Sequence, residues 1–523
     1  MSDMNRGGRQ LAEAMKAAYA RGLDDYHMEP MLLVEDGAPV GKISDHDAVV
    51  FCCRRGEREI ELTEMFTEDG FDKVDRRKLE DLYFVIMTMY HDKFKHLPIA
   101  FAPSQVEKPL AQILSEAGKT QLHCAESEKF AHVTFFFNGG ENKPFPGEDD
   151  ICIPSPKGID FDQKPELSLP EVADTVVDSL GKYDFLVTNF ANGDVIGHTR
   201  NTEAKLAACS HVSRHLEQVV SAALEKNYVV AITADHGNIE KLYNKEGKPD
   251  GAHTTNPVPF ILIDPADNTP ISLRQGGTLG DVAPTVLDIM GISQPAEMGG
   301  ASLAEGHDWG EGRKVLLIIC DGWGIGTGDE GDAIHMADTP YWDSLLAERS
   351  HCTLHASGSA VGLGAGKAGN SEAGHTNLGA GRCVMQDDVR LDAAVADGSF
   401  KENPIFLSAI QHAKERNSAL HLLAYLTYKS SHGCIDYPIS ICEMAKAAGL
   451  EQVYFHIIFD GRSTEPGSAP AMLLELEEKL EAIGLGRIVD GVGRGVVLDR
   501  DKNYDKVKRA YDAMVDGAGI QYS

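Results

Sequence analysis

The sequence predicts an α/β protein of more than one domain, and three observations carry that prediction. Short β-branched, apolar runs alternate with helical patterns almost throughout, which argues for largely parallel sheets. At 523 residues the chain is too long for one ordinary core and comfortable for two or three domains. Acidic residues stand directly behind several of the apolar runs, where parallel sheets gather their ligands.

In chain order, strands are predicted at 47–53, 83–90, 132–137, 185–190, 228–234, 258–263, 314–320, 420–426 and 453–459. Each is a short apolar run rich in β-branched or aromatic residues. Helices are predicted at 57–66, 110–117, 203–226, 281–290, 439–448, 471–483 and 506–515. The stretch 298–312 is rich in glycine and charge, has no apolar period, and reads as a surface connection. There is no internal repeat and no low-complexity tract.

Composition narrows the class. Hydrophobic residues at 42% and charged residues at 25% are those of a soluble globular protein. No apolar stretch reaches the length of a membrane span. The start, M-S-D-M-N-R-G-G-R-Q, lacks the apolar centre of a signal peptide. Ten cysteines without a C-x-x-C spacing suggest reduced thiols, so a cytoplasmic location is expected. A net charge of −31 repels nucleic acid and anionic membrane. An anionic substrate would need local attraction, from arginines or metal ions.

The residues that could carry chemistry are oxygen and nitrogen donors scattered along the chain. Asp194 and His198, in N-G-D-V-I-G-H-T, are spaced to share one side of a helical turn or a curled loop. Asp235 and His236 emerge together behind Y-V-V-A-I-T-A, where burial without a partner would be costly. His253 lies in a polar loop before another apolar run, and Asp321 closes V-L-L-I-I-C. An aspartate before glycine is also a common turn residue. Ser371 lies in G-N-S-E-A-G-H, with glycines around it that would let a tetrahedral anion approach the backbone. A serine hydroxyl is a weak nucleophile until a metal or base activates it. Jointly the set supplies Asp, His and His for one ion, and Asp, Asp, His and a serine oxygen for a second. Two ions can activate a nucleophile and neutralise a transferring phosphoryl group. Mixed carboxylate and imidazole donors suit Mn²⁺, Zn²⁺ or Co²⁺ better than Mg²⁺. Arg55, Arg58, Arg462, Arg494 and Arg500, grouped with His432, could form an anion pocket.

At this point the sequence resembles the cofactor-independent phosphoglycerate mutases of the alkaline phosphatase superfamily. The resemblance rests on I-I-C-D-G-W-G, G-N-S-E-A-G-H-T-N-L-G-A-G-R, V-Y-F-H-I-I-F-D-G-R, E-K-F-A-H-V-T-F-F-F-N-G-G, N-F-A-N-G-D-V-I-G-H-T, T-A-D-H-G-N and A-H-T-T-N-P-V-P. The blocks cover nearly the whole chain but in a rotated order, as in a circular permutation. The resemblance implies an alkaline-phosphatase-like α/β sandwich over 104–386. It also implies a smaller, discontinuous transferase domain from 1–103 and 387–523. It implies that Asp194, His198 and His253 hold one metal ion, and that Asp321, Ser371, Asp235 and His236 surround another. Lys129 would stand beside the nucleophile. His432, Arg55, Arg58, Arg462, Arg494 and Arg500 would bind substrate. The implied reaction interconverts 3-phosphoglycerate and 2-phosphoglycerate through a phosphoserine, with two divalent ions, Mn²⁺ foremost, and no 2,3-bisphosphoglycerate. A monomer acting on a small phosphorylated hydroxy acid is expected.

The chain departs from the family pattern in the transferase half. L-T-Y-K-S-S-H-G stands where the family has L-S-D-G-G-V-H-S, and D-G-R-S where it has D-G-R-D, so Ser463 replaces an acidic residue. Gly495-Val496 follow Arg494 in place of two tyrosines, and Cys53 replaces an asparagine. A mutase of a different phosphorylated hydroxy acid, or a metal-dependent phosphatase, is therefore the alternative expectation.

Overall fold

The structure is a computed structural model that describes residues 6–54, 58–103, 106–267, 269–428, 430 and 432–523. The chain forms two compact units. One is continuous, Ser104–Val389; the other is discontinuous, Met1–Pro103 with Arg390–Ser523.

The continuous unit is built on an eight-stranded sheet. Its strands run, edge to edge, Gly277–Thr278, Ser350–His355, Val258–Ile263, Tyr228–Thr233, Lys314–Cys320, Phe185–Phe190, Gln121–Glu126 and Glu148–Ile153. From Tyr228–Thr233 to Glu148–Ile153 neighbouring strands are parallel; Val258–Ile263 pairs antiparallel on both sides. The centre is Lys314–Cys320, whose V-L-L-I-I-C is fully buried, as a strand covered on both faces must be. It pairs in register with both neighbours, Cys320 opposite Phe190 and Ile319 opposite Thr233. The residues that follow these three strands therefore emerge at one level. The helices Leu169–Ser179, Thr202–Glu225 and Val282–Ile289 contribute apolar side chains to the core around this sheet.

The discontinuous unit carries a nine-stranded sheet. Its parallel centre runs Arg487–Gly493, Val453–Phe459, Leu420–Leu426, Ala48–Phe51 and Tyr83–Thr88. The segment Ala48–Phe51, from one part of the chain, hydrogen-bonds directly to Leu420–Leu426 from the other, so the two parts share one fold. No helix among the described residues is long and apolar enough to cross a membrane.

Two expectations are corrected. The run 132–137 is not a strand but a helical turn, His132–Phe136, closed by the Phe137 N–H on the His132 carbonyl at 3.1 Å. Its β-branched and aromatic residues suit a strand locally, but this i→i+5 turn packs on the helix Ser371–Ala380. The stretch 298–312 is not simply a surface connection. Met298, Leu303 and Trp309 are buried, and the Trp309 indole donates to Asp288. Arg313 and His307 both pair with the buried Asp264. Its apolar residues are too sparse to form a period, yet each drops into the core.

Candidate metal and nucleophile site

The site lies at the carboxyl ends of the three central strands of the continuous unit. Asp321 follows Lys314–Cys320, Asp235 follows Tyr228–Thr233, and Asp194 sits in the short helix Asn192–Gly197 behind Phe185–Phe190. Backbones crowd here. A Cβ on Gly322, at φ +70, would fall 2.6 Å from the Asp194 nitrogen, and one on Gly374 would fall 2.6 Å from the Asp235 carbonyl. Only glycine lets the strands and the nucleophile helix approach this closely.

Ser371 is the first residue of the helix Ser371–Ala380, capped by Asn370, whose side chain accepts the Ala373 N–H at 2.8 Å. The helix N-terminus favours negative charge beside the hydroxyl. Around Ser371 Oγ stand Lys129 Nζ at 2.7 Å, His236 Nε2 at 3.0 Å and Asp321 Oδ1 at 3.2 Å. Lys129 is buried and also donates to Asp194 Oδ2 at 2.6 Å and Asp321 Oδ1 at 2.8 Å. Burial works against its charge, but Asp321, then Asp194 and Asp235, outweigh that and hold the ammonium well above its ordinary range. Burial and the Asp235 charge push the Asp321 carboxyl up.

Beside this group, Asp194, His198 and His253 converge. His198 Nδ1 faces the Gly251 carbonyl at 2.9 Å, and His253 Nδ1 the Gly369 carbonyl at 2.7 Å. A carbonyl only accepts, so each Nδ1 carries the proton and each Nε2 of the neutral ring is a lone pair. Those two Nε2 atoms lie 3.1 Å apart, and Asp194 Oδ1 lies 3.3 and 3.0 Å from them. Three acceptors thus meet at one point with no proton between them. A cation resolves that conflict; otherwise the rings must protonate. The hydrogen bond to Asp194 raises the basicity of His198; at His253 burial works the other way and Asp194 outweighs it.

His236 repeats the pattern, its Nδ1 on the Gly237 carbonyl at 3.2 Å and its Nε2 toward Ser371. Asp235 Oδ2 is buried with no hydrogen-bond partner among the described residues. Asp194, His198 and His253 have ligand atoms close enough to hold one ion, as do Asp194, His236 and Asp321. With Asp235 Oδ2 and Ser371 Oγ adjoining, the residues fit a pair of divalent ions. A separate trio, His123, Glu148 and Asp150, is spaced like ligands. There His123 Nδ1 is spent on the Val133 carbonyl, and Glu148 holds Asn138 and the Phe145 N–H.

The remaining predicted residues lie in the discontinuous unit, apart from Arg55, which falls outside the described residues. His432 and Arg494 stand near strand carboxyl ends and each meets a buried acid. His432 Nδ1 lies 3.2 Å from Glu59, and Arg494 donates to Asp460 at 2.6 Å. Arg58 donates to the Leu498 carbonyl at 2.9 Å. Arg462 is exposed, and the Ser463 N–H donates to Asp460 at 3.1 Å. Arg500 borders a cavity of about 750 Å³ of mixed charge, lined by Lys73, Lys93 and Lys502 and also by Glu61, Glu64 and Asp505.

Two polar residues at the site were not anticipated, Asn189 and His375. Asn189 hides inside an apolar strand, T-N-F, and His375 lies one helical turn beyond Ser371. That i, i+4 spacing was the available signal.

A sequence profile of the metalloenzyme superfamily matches residues 22–294, over half of the chain. The chain belongs to the metalloenzyme superfamily. A second profile, described as the BPG-independent PGAM N-terminus, matches residues 391–523. A segment described as an N-terminus thus follows the metalloenzyme match, in keeping with a rotated order. Among curated relatives, a 2,3-bisphosphoglycerate-independent phosphoglycerate mutase of Moorella thermoacetica is 46% identical over 293 residues, covering 56% of each chain. One of Salinibacter ruber is 45% identical over 297 residues, covering 55% of this chain and 56% of the relative. The matched stretch thus spans little more than half the length of these relatives. A crystal structure of Leishmania mexicana phosphoglycerate mutase at low cobalt concentration is 27% identical, with TM-score 0.40 over 52% of this chain and 53% of that one.

Proposed function

We propose that the protein is a phosphoglycerate mutase that works without 2,3-bisphosphoglycerate, interconverting 3-phosphoglycerate and 2-phosphoglycerate through phosphorylated Ser371. The observation that carries the reading is the hydroxyl of Ser371, at a helix N-terminus, in contact with Lys129, Asp321 and His236. Asp194, His198 and His253 would hold one divalent ion and Asp321, Ser371, Asp235 and His236 the other, with Mn²⁺ the best match to mixed oxygen and nitrogen donors. When bound, the ions lower the pKa of the attacking hydroxyl and neutralise the transferring group. Asp321 Oδ1, 3.2 Å from the hydroxyl, is placed to take the Ser371 proton, while the one free lone pair of His236, on Nε2, would serve the ion. Lys129 then balances the charge of the phosphoserine, and the helix N-terminus adds to that. In the discontinuous unit, His432, Arg55, Arg58, Arg462, Arg494 and Arg500 would hold the hydroxy acid. Its hydroxyls receive the phosphoryl group back. A cytoplasmic monomer without nucleic-acid or membrane partners fits the charge of −31.

The test uses purified protein with Mn²⁺ and 3-phosphoglycerate, and no bisphosphoglycerate. Formation of 2-phosphoglycerate supports the mutase. Release of inorganic phosphate alone favours a metal-dependent phosphatase, which the altered residues Ser463 and Gly495-Val496 keep as the second reading. A screen of other phosphorylated hydroxy acids then separates a changed substrate from a lost mutase step.

A further inference from the structure

We propose that Asn189 and His375 are positioning residues that fix the Asp321 carboxylate against the Ser371 hydroxyl through a closed circuit of hydrogen bonds. The proposal rests on the phosphoserine reading above.

The circuit starts and ends on the nucleophile. His375 Nδ1 lies 2.9 Å from the Ser371 backbone carbonyl, one turn earlier on the same helix. A carbonyl has no proton to give, so Nδ1 donates and Nε2 of the neutral ring accepts. Asn189 Nδ2 lies 3.0 Å from that Nε2 and 2.6 Å from Asp321 Oδ2. Both amide protons are thereby spent, one on the ring and one on the carboxylate. Asp321 Oδ1 then faces Ser371 Oγ at 3.2 Å and closes the ring.

The sense of the circuit is forced at the amide and at the ring; only the Ser371 hydroxyl has a choice, between Asp321 Oδ1 and His236 Nε2. Turning the amide over would set its oxygen against a ring lone pair and a carboxylate at once. Changing the ring tautomer would set a lone pair against the Ser371 carbonyl. Both changes leave buried acceptors unpaired, each costing about 1–3 kcal/mol in general. The carboxylate therefore cannot rotate while the other members hold.

Three further facts favour a positioning role over packing. All four residues are buried, with Asp321 and His375 at 0% exposure. Asp235, Asp321 and His375 are also spaced like ligands, and His375 lies 3.3 Å from Asp235 Oδ2. Both of its ring nitrogens are engaged, however, on the Ser371 carbonyl and the Asn189 amide, so it backs the carboxylates. Asn189 Oδ1 is buried without a partner among the described residues. Its donor side is what the site uses, as it is at Asn138, Asn192 and Asn238.

The isosteric Asn189→Asp variant carries the test, with Asn189→Ala, His375→Ala and the double alanine variant beside it. Read-outs are kcat and KM with Mn²⁺ and 3-phosphoglycerate, Mn²⁺ affinity by calorimetry, and the thermal midpoint. Expected is a fall in kcat and in Mn²⁺ affinity of roughly 10–100-fold in each variant, with KM nearly unchanged. Asn189→Asp should be at least as damaging as Asn189→Ala, since it puts an acceptor where the donor was. The double variant should lose no more than the worse single one, because the links act in series. Near-wild-type kcat and Mn²⁺ affinity for Asn189→Asp, or losses that multiply in the double variant, overturn the circuit. Should the wild type transfer no phosphoryl group, the functional reading fails, and Mn²⁺ affinity still decides the circuit.

Discussion

The two units bury ionisable groups in opposite ways. In the discontinuous unit Asp47, His421, His456 and Asp490 stand in line across four neighbouring strand positions, hydrogen-bonded at 3.0, 2.9 and 2.6 Å. Each contact there can be met by one proton, and Asp47 also accepts the Ser44 and Ala419 N–H groups. In the continuous unit, acceptor faces acceptor at buried Asp194, partly buried His253 and exposed His198, and Asp235 Oδ2 has no hydrogen-bond partner among the described residues. Both clusters are rich in Asp and His, so residue type does not separate them. What separates them is whether ligand atoms of several residues converge on one point. Asp490 Oδ1 also lacks a hydrogen-bond partner among the described residues, so a single unspent oxygen does not mark a ligand site. Buried groups that satisfy one another are structure, and groups whose lone pairs converge on one point call for a ligand, whether or not every member is buried.

The largest effect should come from the nucleophile. Ser371→Ala should lower kcat by roughly 10⁴-fold or more, as for nucleophiles of serine enzymes, and abolish the phosphoenzyme seen by mass spectrometry. Turnover near the wild-type rate would remove Ser371 from the mechanism and leave the cluster as a plain metal site. Next comes Lys129→Met. It strips the internal counter-charge from Asp194 and Asp321, and should cost the metal-free protein about 3–5 kcal/mol in chemical denaturation. Saturating Mn²⁺ should shrink that loss, since a bound cation replaces the missing charge. A loss that Mn²⁺ leaves untouched would show that Lys129 serves stability alone.

The contrast also explains what could be read without coordinates. Asp194, Asp235 and Asp321 stand out in the sequence because fully buried parallel strands are continuous apolar runs, and an acid behind such a run is conspicuous. His375 and Asn189 do not stand out, because their meaning lies in partners far along the chain: Asn189 meets Asp321, 132 residues later. The strands Gln121–Glu126 and Arg487–Gly493 were unmarked for a related reason. Each interrupts its apolar run with buried polar residues: His123 and Gln121 meet on one strand, and Asp490 meets His456 of the neighbouring strand. The turn His132–Phe136 went the other way, since local β-propensity pointed to a strand and tertiary packing overrode it.

The smallest effect sharpens the comparison from the satisfied side. Burial pushes His421 down from its ordinary 6.5, so the ring stays neutral and its Nε2–H serves Asp47. The hydrogen bond from His421 in turn outweighs burial at Asp47 and holds its carboxyl below the ordinary 3.8. When the folded pKa of a histidine is depressed, the unfolded chain takes up the proton first as pH falls. Its contribution is therefore present above pH 6.5 and is lost as pH falls below that value, with Asp47 following below 3.8. One proton corresponds to a slope of at most about 1.4 kcal/mol per pH unit. Burial also depresses His123, to about 4, so the wild-type curve sums more than one group. His421→Leu isolates one share: at pH 7 it should cost about 1–3 kcal/mol by leaving Asp47 and His456 short of a partner. Below pH 6.5 the gap to wild type should narrow, since the variant has no ring to protonate. Its Mn²⁺ affinity should equal that of the wild type. A gap that stays constant across that window would mean that His421 contributes only packing, and a changed Mn²⁺ affinity would mean that the self-satisfied cluster is not independent of the open one.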